Sequence, residues 1–595
     1  MISESLYKRY GTWVLLALAL LGGFLVFWYS DIGDTLDNAV LLVESIVKGK
    51  LFDYYEYAAL NSAPASQYSA NYNILLYAIF AVWNLPTVIA HLVAEVDYMN
   101  EPIALLWCKL IIVAAYIGIF FVISKITKKL TDSDEDGVLA GFISISSLCV
   151  FVPALVACQY DCLSLLCMLL GIYFYSERKT LQFLVMFALA VPLKMFALFI
   201  FIPLILIRYK NVLKLAGMLI SIMIPSILLE LPFKADPYFS VAMDSQSKDA
   251  IYLLLDGVIV IDEIRINPFI VAFIVICFLC YMKKDADSIS ETYNGIYYSF
   301  ATFAAFCALT PIRSYWIILF TPFLAILAIS KKGNRTVGIL ADTIIGAAGG
   351  LYVLAHHWIY NTGGICNYLI LWQLDTPLGA ERKYKHFKGF LQSFGLYDLR
   401  FAFFAVFLGG IAFALWYFYP GRKCEKDDGA ETSLFPALIA RPAILAGVFV
   451  MLLYFNFATQ PAVKYGSYEC DGTSTVDIMD MDYPSIYRTV EFSSDETLSE
   501  LTVYLQPWNV HRSARSFVGI RLVDTRTDKV IWEDKVGIAV IDTKTETVKF
   551  KLDDLKVYAG VKYRVEYFAI DSQYSGIGEV YPYVDPEGNL ALLFR

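Results

Sequence analysis

Charge is scarce in this chain. Asp, Glu, Lys and Arg supply only 17% of its 595 residues, where soluble domains carry about a quarter. That shortage excludes an ordinary soluble globular protein. Basic residues are outnumbered, 47 Lys and Arg against 56 Asp and Glu, for a net charge of −9, which argues against a nucleic-acid partner. Histidine is nearly missing, with five residues, and no zinc-site pattern of paired CxxC motifs or of Cys with His stands out among the eleven cysteines. Most lie in apolar runs (Cys108, Cys149, Cys277, Cys280, Cys307) and read as small core residues. Cys470 stands alone in the C-terminal region, so no disulfide forms within that region. No small-residue cleavage site follows the first apolar segment, so it reads as a retained helix rather than a signal peptide. There is no internal repeat and no low-complexity segment.

Apolar residues are what the chain has in excess, at 58%, with 16% aromatic and a mean hydropathy of +0.57. This is a polytopic membrane protein. Apolar stretches fall near 11–30, 72–94, 103–124, 137–157, 162–177, 180–207, 213–231, 268–282, 294–311, 315–330, 337–358, 400–419 and 434–457. Basic residues collect on the cytoplasmic side of a membrane. Lys8 and Arg9 therefore place the N-terminus inside and Asp31 outside. The stretch 72–94 carries Asn71, Asn73, Asn84, Pro86 and His91 at or near it. It is expected to be interfacial or re-entrant, which makes 31–102 a long first external loop. The run 180–207 is long for one span and is interrupted by Pro192 and Lys194, so two short helices are expected, with Lys194 at the outer turn. With both choices made, about thirteen helices cross the membrane, and "ERK" (177–179), "RYK" (208–210), "KK" (283–284), "KKGNR" (331–335) and "GRK" (421–423) all fall inside. The cluster "ERKYKHFK" (381–388) is left outside against the rule.

Beyond residue 457 the pattern changes. "ELTVYLQPW", "FVGIRLVDT", "DKVIWED", "ETVKFKL" and "KYRVEYFAI" alternate apolar and polar residues, with turn signals between them. The expectation is a membrane domain over 1–457 and an extracytoplasmic, half-buried antiparallel β-sandwich of jelly-roll type over 458–595. Its Trp508, Trp532, Tyr574 and Tyr581 are candidates for gripping a glycan, against the simpler role of core packing.

Polar groups at membrane depth are costly and point to function. This topology gathers several at the outer face. Asp31, Asp34 and Asp37 follow the first helix in "SDIGDTLDNAVLLVESIVKGKLFDYYEYA"; "ACQYDC" (157–162) brings Gln159 and Asp161. "VPLKM" (191–195) presents Lys194 and "TPIRSYW" (310–316) presents Arg313, while the loop 359–399 adds Arg382 and Lys383. Asp34 and Asp37 also suit N-capping of the helix that follows, and Tyr54, Tyr55 and Tyr57 suit an interfacial aromatic belt. Carboxylates serve a general base for a hydroxyl or ligate a divalent metal. Lys and Arg meet a lipid phosphate that must leave with its charge. Together these groups describe glycosyl transfer from a polyprenyl-phosphate sugar.

The layout resembles the GT-C superfamily of integral membrane glycosyltransferases, such as the protein O-mannosyltransferases and the aminoarabinose transferases of lipid A. The family pattern has an Asp after the first helix, a long first external loop with membrane-parallel helices, and an acidic residue in the short second loop. "CQYDCLSLL" is similar to the G-Q-x-D signature of some members, with Cys158 in place of Gly, and "LTPIRSYWIILFTP" is similar to the late segment that meets lipid phosphate. The resemblance implies an inverting, mannosyltransferase-like enzyme of a bacterial cell-surface polysaccharide system, in the plasma membrane. Asp34 ranks first and Asp31 second as general base. Gln159 and Asp161 would orient the acceptor or bind a metal, and Lys194, Arg313, Arg382 and Lys383 would bind lipid phosphate. The donor implied is a lipid-linked sugar, the acceptor a glycan, lipid or protein; a divalent cation (Mn or Mg) serves some members and not others. The rival reading is a transporter or flippase of lipid-linked glycans, which predicts inverted repeats and charges near the midplane.

Overall fold

The computed structural model describes residues 2–594 apart from 29, 63–69, 100, 237, 241–258, 262–263, 285–286, 312, 332–334, 357–379, 383, 385–386, 423–433, 462–486, 509–516, 538–546, 571–578 and 583–591. Two compact units make up the chain, Met1–Gln460 and Pro461–Arg595.

The first unit is helical. Among the described residues five helices are long and apolar enough to cross a membrane: Pro102–Thr131, Val212–Phe233, Arg335–His356, Leu399–Tyr417 and Phe435–Phe455. Three bent pairs raise the number to eight if each is one span. Shorter apolar helices, among them Cys162–Ser176, Thr180–Leu193, Ala197–Arg208 and Pro268–Met282, take up further apolar runs. Breaks in helices are thus a main feature of this unit, and each break has a chemical cause.

Helix α1 (Ile2–Val26) and helix α2 (Ser30–Val47) form the first bent pair, with an angle of 61°. The two aspartates expected to cap a helix lie inside α2 instead. Asp31, Asp34 and Asp37 occupy its first two turns, because α2 starts at Ser30. The capping expectation for Asp34 and Asp37 is therefore corrected.

The first loop then packs as a folded layer. Helix α3 (Tyr54–Asn61) is followed by α4 (Ile74–Trp83) and α5 (Leu85–Ala94), which meet at 74°. Ten residues of helix span about 15 Å, half the hydrocarbon thickness, so neither α4 nor α5 crosses alone. The break falls at Asn84, with Pro86 opening α5 where its missing N–H costs nothing. Tyr54 and Tyr55 are buried rather than spread along a membrane interface. The Tyr54 hydroxyl donates to the Asn38 carbonyl (2.9 Å) and that of Tyr55 to the Tyr72 carbonyl (2.8 Å). The Tyr57 hydroxyl donates to Glu44 at 2.6 Å. The tyrosines are clamps that hold the loop onto α2, and the aromatic-belt expectation is corrected.

Helix α6 (Pro102–Thr131) leads into α7 (Asp134–Ile145). The expected segment 137–157 is broken, with α7 and α8 (Leu148–Phe151) part of a pair bent by 58°. Arg441 fills the break. Its guanidinium donates to the Ile143 carbonyl and to Ser146 Oγ, and pairs with Asp342 at 2.6 Å. Both ion-pair partners are almost wholly buried, so each charge satisfies the other inside the bundle. A π-helical turn, Val152–Val156, then leads to the turn at 157–161 and α9 (Cys162–Ser176). The run 180–207 divides as expected into α10 (Thr180–Leu193) and α11 (Ala197–Arg208), with Lys194 extended between them.

The second unit is a β-sandwich. One antiparallel sheet orders its strands Tyr487–Glu491, Lys562–Ile570, Phe517–Asp524, Lys529–Gly537. In the other, Glu496–Trp508 pairs with Thr547–Val557, Glu579–Pro582 and Leu592–Phe594. Alternation sets the two faces: Tyr563, Val565 and Tyr567 enter the core with Leu501, Val503, Ile520, Leu522 and Phe550, while Arg564 and Glu566 between them pair on the other face. Trp532 stacks edge-on against Phe550 at 6.1 Å, a packing role. Tyr574 lies outside the described residues.

Candidate functional site

The site forms where α2, the turn after the π-helical segment, the α10–α11 break and the Arg313 segment converge. The turn "VACQYDC" is shaped by its backbone. Cys158 takes a left-handed conformation, φ +50°, which glycine adopts freely and other residues adopt at a cost. This is the position at which the G-Q-x-D pattern has Gly. The Gln159 amide N–H reaches back to the Pro153 carbonyl at 2.9 Å, tightening the turn. Gln159 and Asp161 are thereby both buried.

Two polar pairs result. Gln159 Nε2 donates to Asp31 Oδ2 at 3.0 Å and to the Ala157 carbonyl at 3.1 Å. Lys194 Nζ pairs with Asp161 Oδ1 at 3.0 Å and donates to the Tyr72 hydroxyl at 3.2 Å. The same ammonium lies 4.5 Å from the centre of the Tyr72 ring and 5.5 Å from that of Tyr160, so the lysine sits in an aromatic cage. Asp31 is within electrostatic reach of Lys194, Asp161 and Arg313. Tyr315 is within reach of Asp31, Tyr72, Asp161 and Arg313. The Arg313 carbonyl accepts the Trp316 N–H at 2.9 Å, while its exposed side chain makes no hydrogen bond or ion pair to a described residue.

The three aspartates of α2 part company here. Asp31 is half-buried and opens onto the site. Burial pushes its carboxyl above the usual carboxylate range, against the Gln159 hydrogen bond and the Lys194 and Arg313 charges, which pull it down; Asp161 adds to the rise. Asp34 is buried beside Tyr77. Asp37 is fully buried and accepts the Tyr98 hydroxyl at 2.7 Å.

The structure thus brings together Asp31, Gln159, Asp161, Lys194 and Arg313. It turns Asp34 toward the first-loop layer. Arg382 ends the short strand Ala380–Arg382, and Lys383 lies outside the described residues. Among the described residues no three His, Cys, Asp or Glu side chains approach as a metal-binding group. Asp161 is already committed to Lys194. The donor set of the described residues does not fit a divalent cation.

Tyr72, Tyr160, Tyr315 and Lys109 belong to the site or its support and were not singled out from sequence. The signal for Lys109 was there: a lone lysine in the apolar run "LLWCKLIIV", where a charge needs a reason. The tyrosines carried no such signal in a chain with 41 of them.

No protein-family model matches the chain, and no curated protein matches it. Among solved structures it is similar to the arabinosyltransferase EmbB from Mycobacterium smegmatis, determined by single-particle cryo-electron microscopy, at 12% identity and a TM-score of 0.33. That match covers 98% of this chain and 64% of EmbB, so the chain spans less than two thirds of that protein's length. A likeness so slight carries no argument about chemistry, and the functional reading rests on the site.

Proposed function

We propose that this integral membrane protein is a GT-C-like glycosyltransferase. It moves a sugar from a polyprenyl-phosphate donor to an acceptor hydroxyl at the extracytoplasmic face, with inversion. The observation that carries the reading is the pairing of Asp31 with Gln159 at 3.0 Å beside Asp161–Lys194 at 3.0 Å, with the exposed Arg313 in electrostatic reach.

Asp31 is the general base, ahead of Asp34. Its carboxylate takes the acceptor hydroxyl proton as the oxygen attacks the anomeric carbon. The new C–O bond forms as the bond from that carbon to the phosphate oxygen breaks. The phosphate leaves with the bonding electrons and so gains one negative charge. Arg313 offers the open cation for that charge. Lys194, held by Asp161 and Tyr72, sets the positive background of the cavity and keeps Asp31 ionisable. A raised carboxyl suits this task, because a base works best with its pKa nearer the operating pH. Gln159 fixes the Asp31 rotamer, leaving the second carboxylate oxygen for the acceptor. The sandwich unit shapes or holds the acceptor glycan.

The test is transfer in vitro from defined polyprenyl-phosphate sugars by the full-length protein in detergent. Asp31→Asn should lower kcat by about 10²- to 10⁴-fold, the usual worth of a positioned base. Asp34→Asn should keep most of the rate. Full activity in Asp31→Asn removes the base assignment, and activity lost only in Asp34→Asn reverses the order of the two.

A further inference from the structure

We propose that Lys109 is a positioning residue: it fixes the corner between α1 and α2, and so sets the Asp31 carboxylate against Gln159. The inference rests on the reading of Asp31 as the base.

Lys109 is fully buried in α6. Its ammonium donates to three backbone carbonyls, Gly23 (2.9 Å), Phe24 (2.9 Å) and Phe27 (2.6 Å). These belong to the last turn of α1 and the residue just past it, where carbonyls run out of partners within the helix and the dipole is negative; the Gly23 carbonyl also accepts the Phe27 N–H, at a long 3.4 Å. One cation thus satisfies three acceptors and makes a sharp stop possible inside the bundle. The chain then turns through 61°, and Asp31 follows Phe27 by four residues.

Three further contacts tie the corner down. The neighbouring Cys108 thiol faces the Ile32 carbonyl at 3.8 Å, in the first turn of α2. Asn84, fully buried at the α4–α5 break, donates to the Cys108 sulfur at 3.6 Å. The Cys158 thiol, in the turn that carries Gln159, faces the same Phe27 carbonyl that Lys109 holds, at 3.8 Å. Adjacent residues of α6 therefore grip both sides of the corner, and the turn at 157–161 leans on its apex. The 3.0 Å contact from Gln159 to Asp31 spans this assembly. Lys109 itself touches none of the proposed reacting atoms.

The experiment uses the full chain in detergent or nanodiscs and reads the Asp31 carboxyl band in pH-difference infrared spectra. The band is assigned by its loss in Asp31→Asn. The groups facing Asp31 are Gln159, Lys194, Asp161, Arg313, Tyr160 and Tyr315, all retained in the variants. In Lys109→Met the corner is uncapped and the Gln159 contact is lost. The Asp31 midpoint should rise by about one pH unit, since that hydrogen bond favours the ionised form. Lys109→Arg, which keeps charge and donors, should restore it toward the wild-type value. Transfer by Lys109→Met should fall about tenfold to a hundredfold in kcat with KM unchanged, as expected for a misaligned base.

An unchanged or lower midpoint in folded Lys109→Met overturns the proposal. If Lys109→Met does not fold, Lys109→Gln takes its place. Failure of both to fold makes Lys109 a stability residue and overturns the positioning role. The titration needs neither donor nor acceptor. A fully active Asp31→Asn would thus remove the base assignment while the midpoint still reports on Lys109.

Discussion

Removing the Asp161 carboxylate should strand a buried ammonium. Asp161 is 1% exposed, and its partner Lys194 keeps 12% of its side-chain surface. At their 3.0 Å separation and an effective dielectric of about 20, the gross attraction is about 5 kcal/mol. Desolvation of both groups offsets much of this. Breaking such a pair from one side costs about 3–5 kcal/mol, because the remaining charge stays buried without its partner. The lower end applies here, since the Tyr72 hydroxyl and two aromatic rings still hold Lys194. We therefore expect Asp161→Asn to lose about 3 kcal/mol and Lys194→Met a similar amount. The double variant should lose less than their sum by about 2 kcal/mol, the coupling of two groups in direct contact. The assay is SDS-titrated unfolding of the purified protein, followed by tryptophan fluorescence, for the wild type, both single variants and the double. A double variant whose loss equals the sum of the singles refutes the pairing, and with it the placement of Lys194 beside the turn that carries Asp161.

Other perturbations probe neighbouring parts of the site. The transfer rate should rise with pH through the ionisation of Asp31, because the base is its charged form. Burial lifts that carboxyl, so the acid limb of the pH–rate profile should lie above the usual carboxylate range, near 4, and should vanish in Asp31→Asn. Cys158→Gly should leave the fold intact, since φ +50° is easy for glycine. Cys158→Val, β-branched at that angle, should lower stability by about 2 kcal/mol, read by the same SDS titration. Arg313→Gln should raise the donor KM or lower kcat by about tenfold or more. Being exposed and without a described partner, Arg313 should change stability by no more than about 0.5 kcal/mol.

The broad architecture was legible because it follows from periodicity and composition. Long apolar runs require a bilayer, and alternation in "KYRVEYFAI" requires a half-buried strand, whatever surrounds them. Lys194 was legible too, since a proline and a lysine inside one apolar run announce a break. The three aspartates were not separable in the same way. They sit at intervals of three residues in one helix, and their sequence context is nearly identical. Their fates differ because Gln159 arrives beside Asp31, the first-loop layer covers Asp34, and Tyr98 reaches Asp37.

The sequence by itself determined which groups would be costly in a membrane: the aspartates after the first helix, Gln159 and Asp161, Lys194, Arg313 and, read with more attention, Lys109 and Arg441. Each of these that is buried is a polar residue that the bilayer tolerates only with a partner. The tertiary structure alone decided the partners. Lys109 finds three carbonyls at a helix end, Arg441 finds Asp342, and Lys194 finds Asp161. These pairings join residues far apart in the chain, and local pattern carries no information about which distant helix will supply the compensating charge. That choice belongs to the packing, and it leaves Asp31 half-buried beside Gln159 while Asp34 is buried.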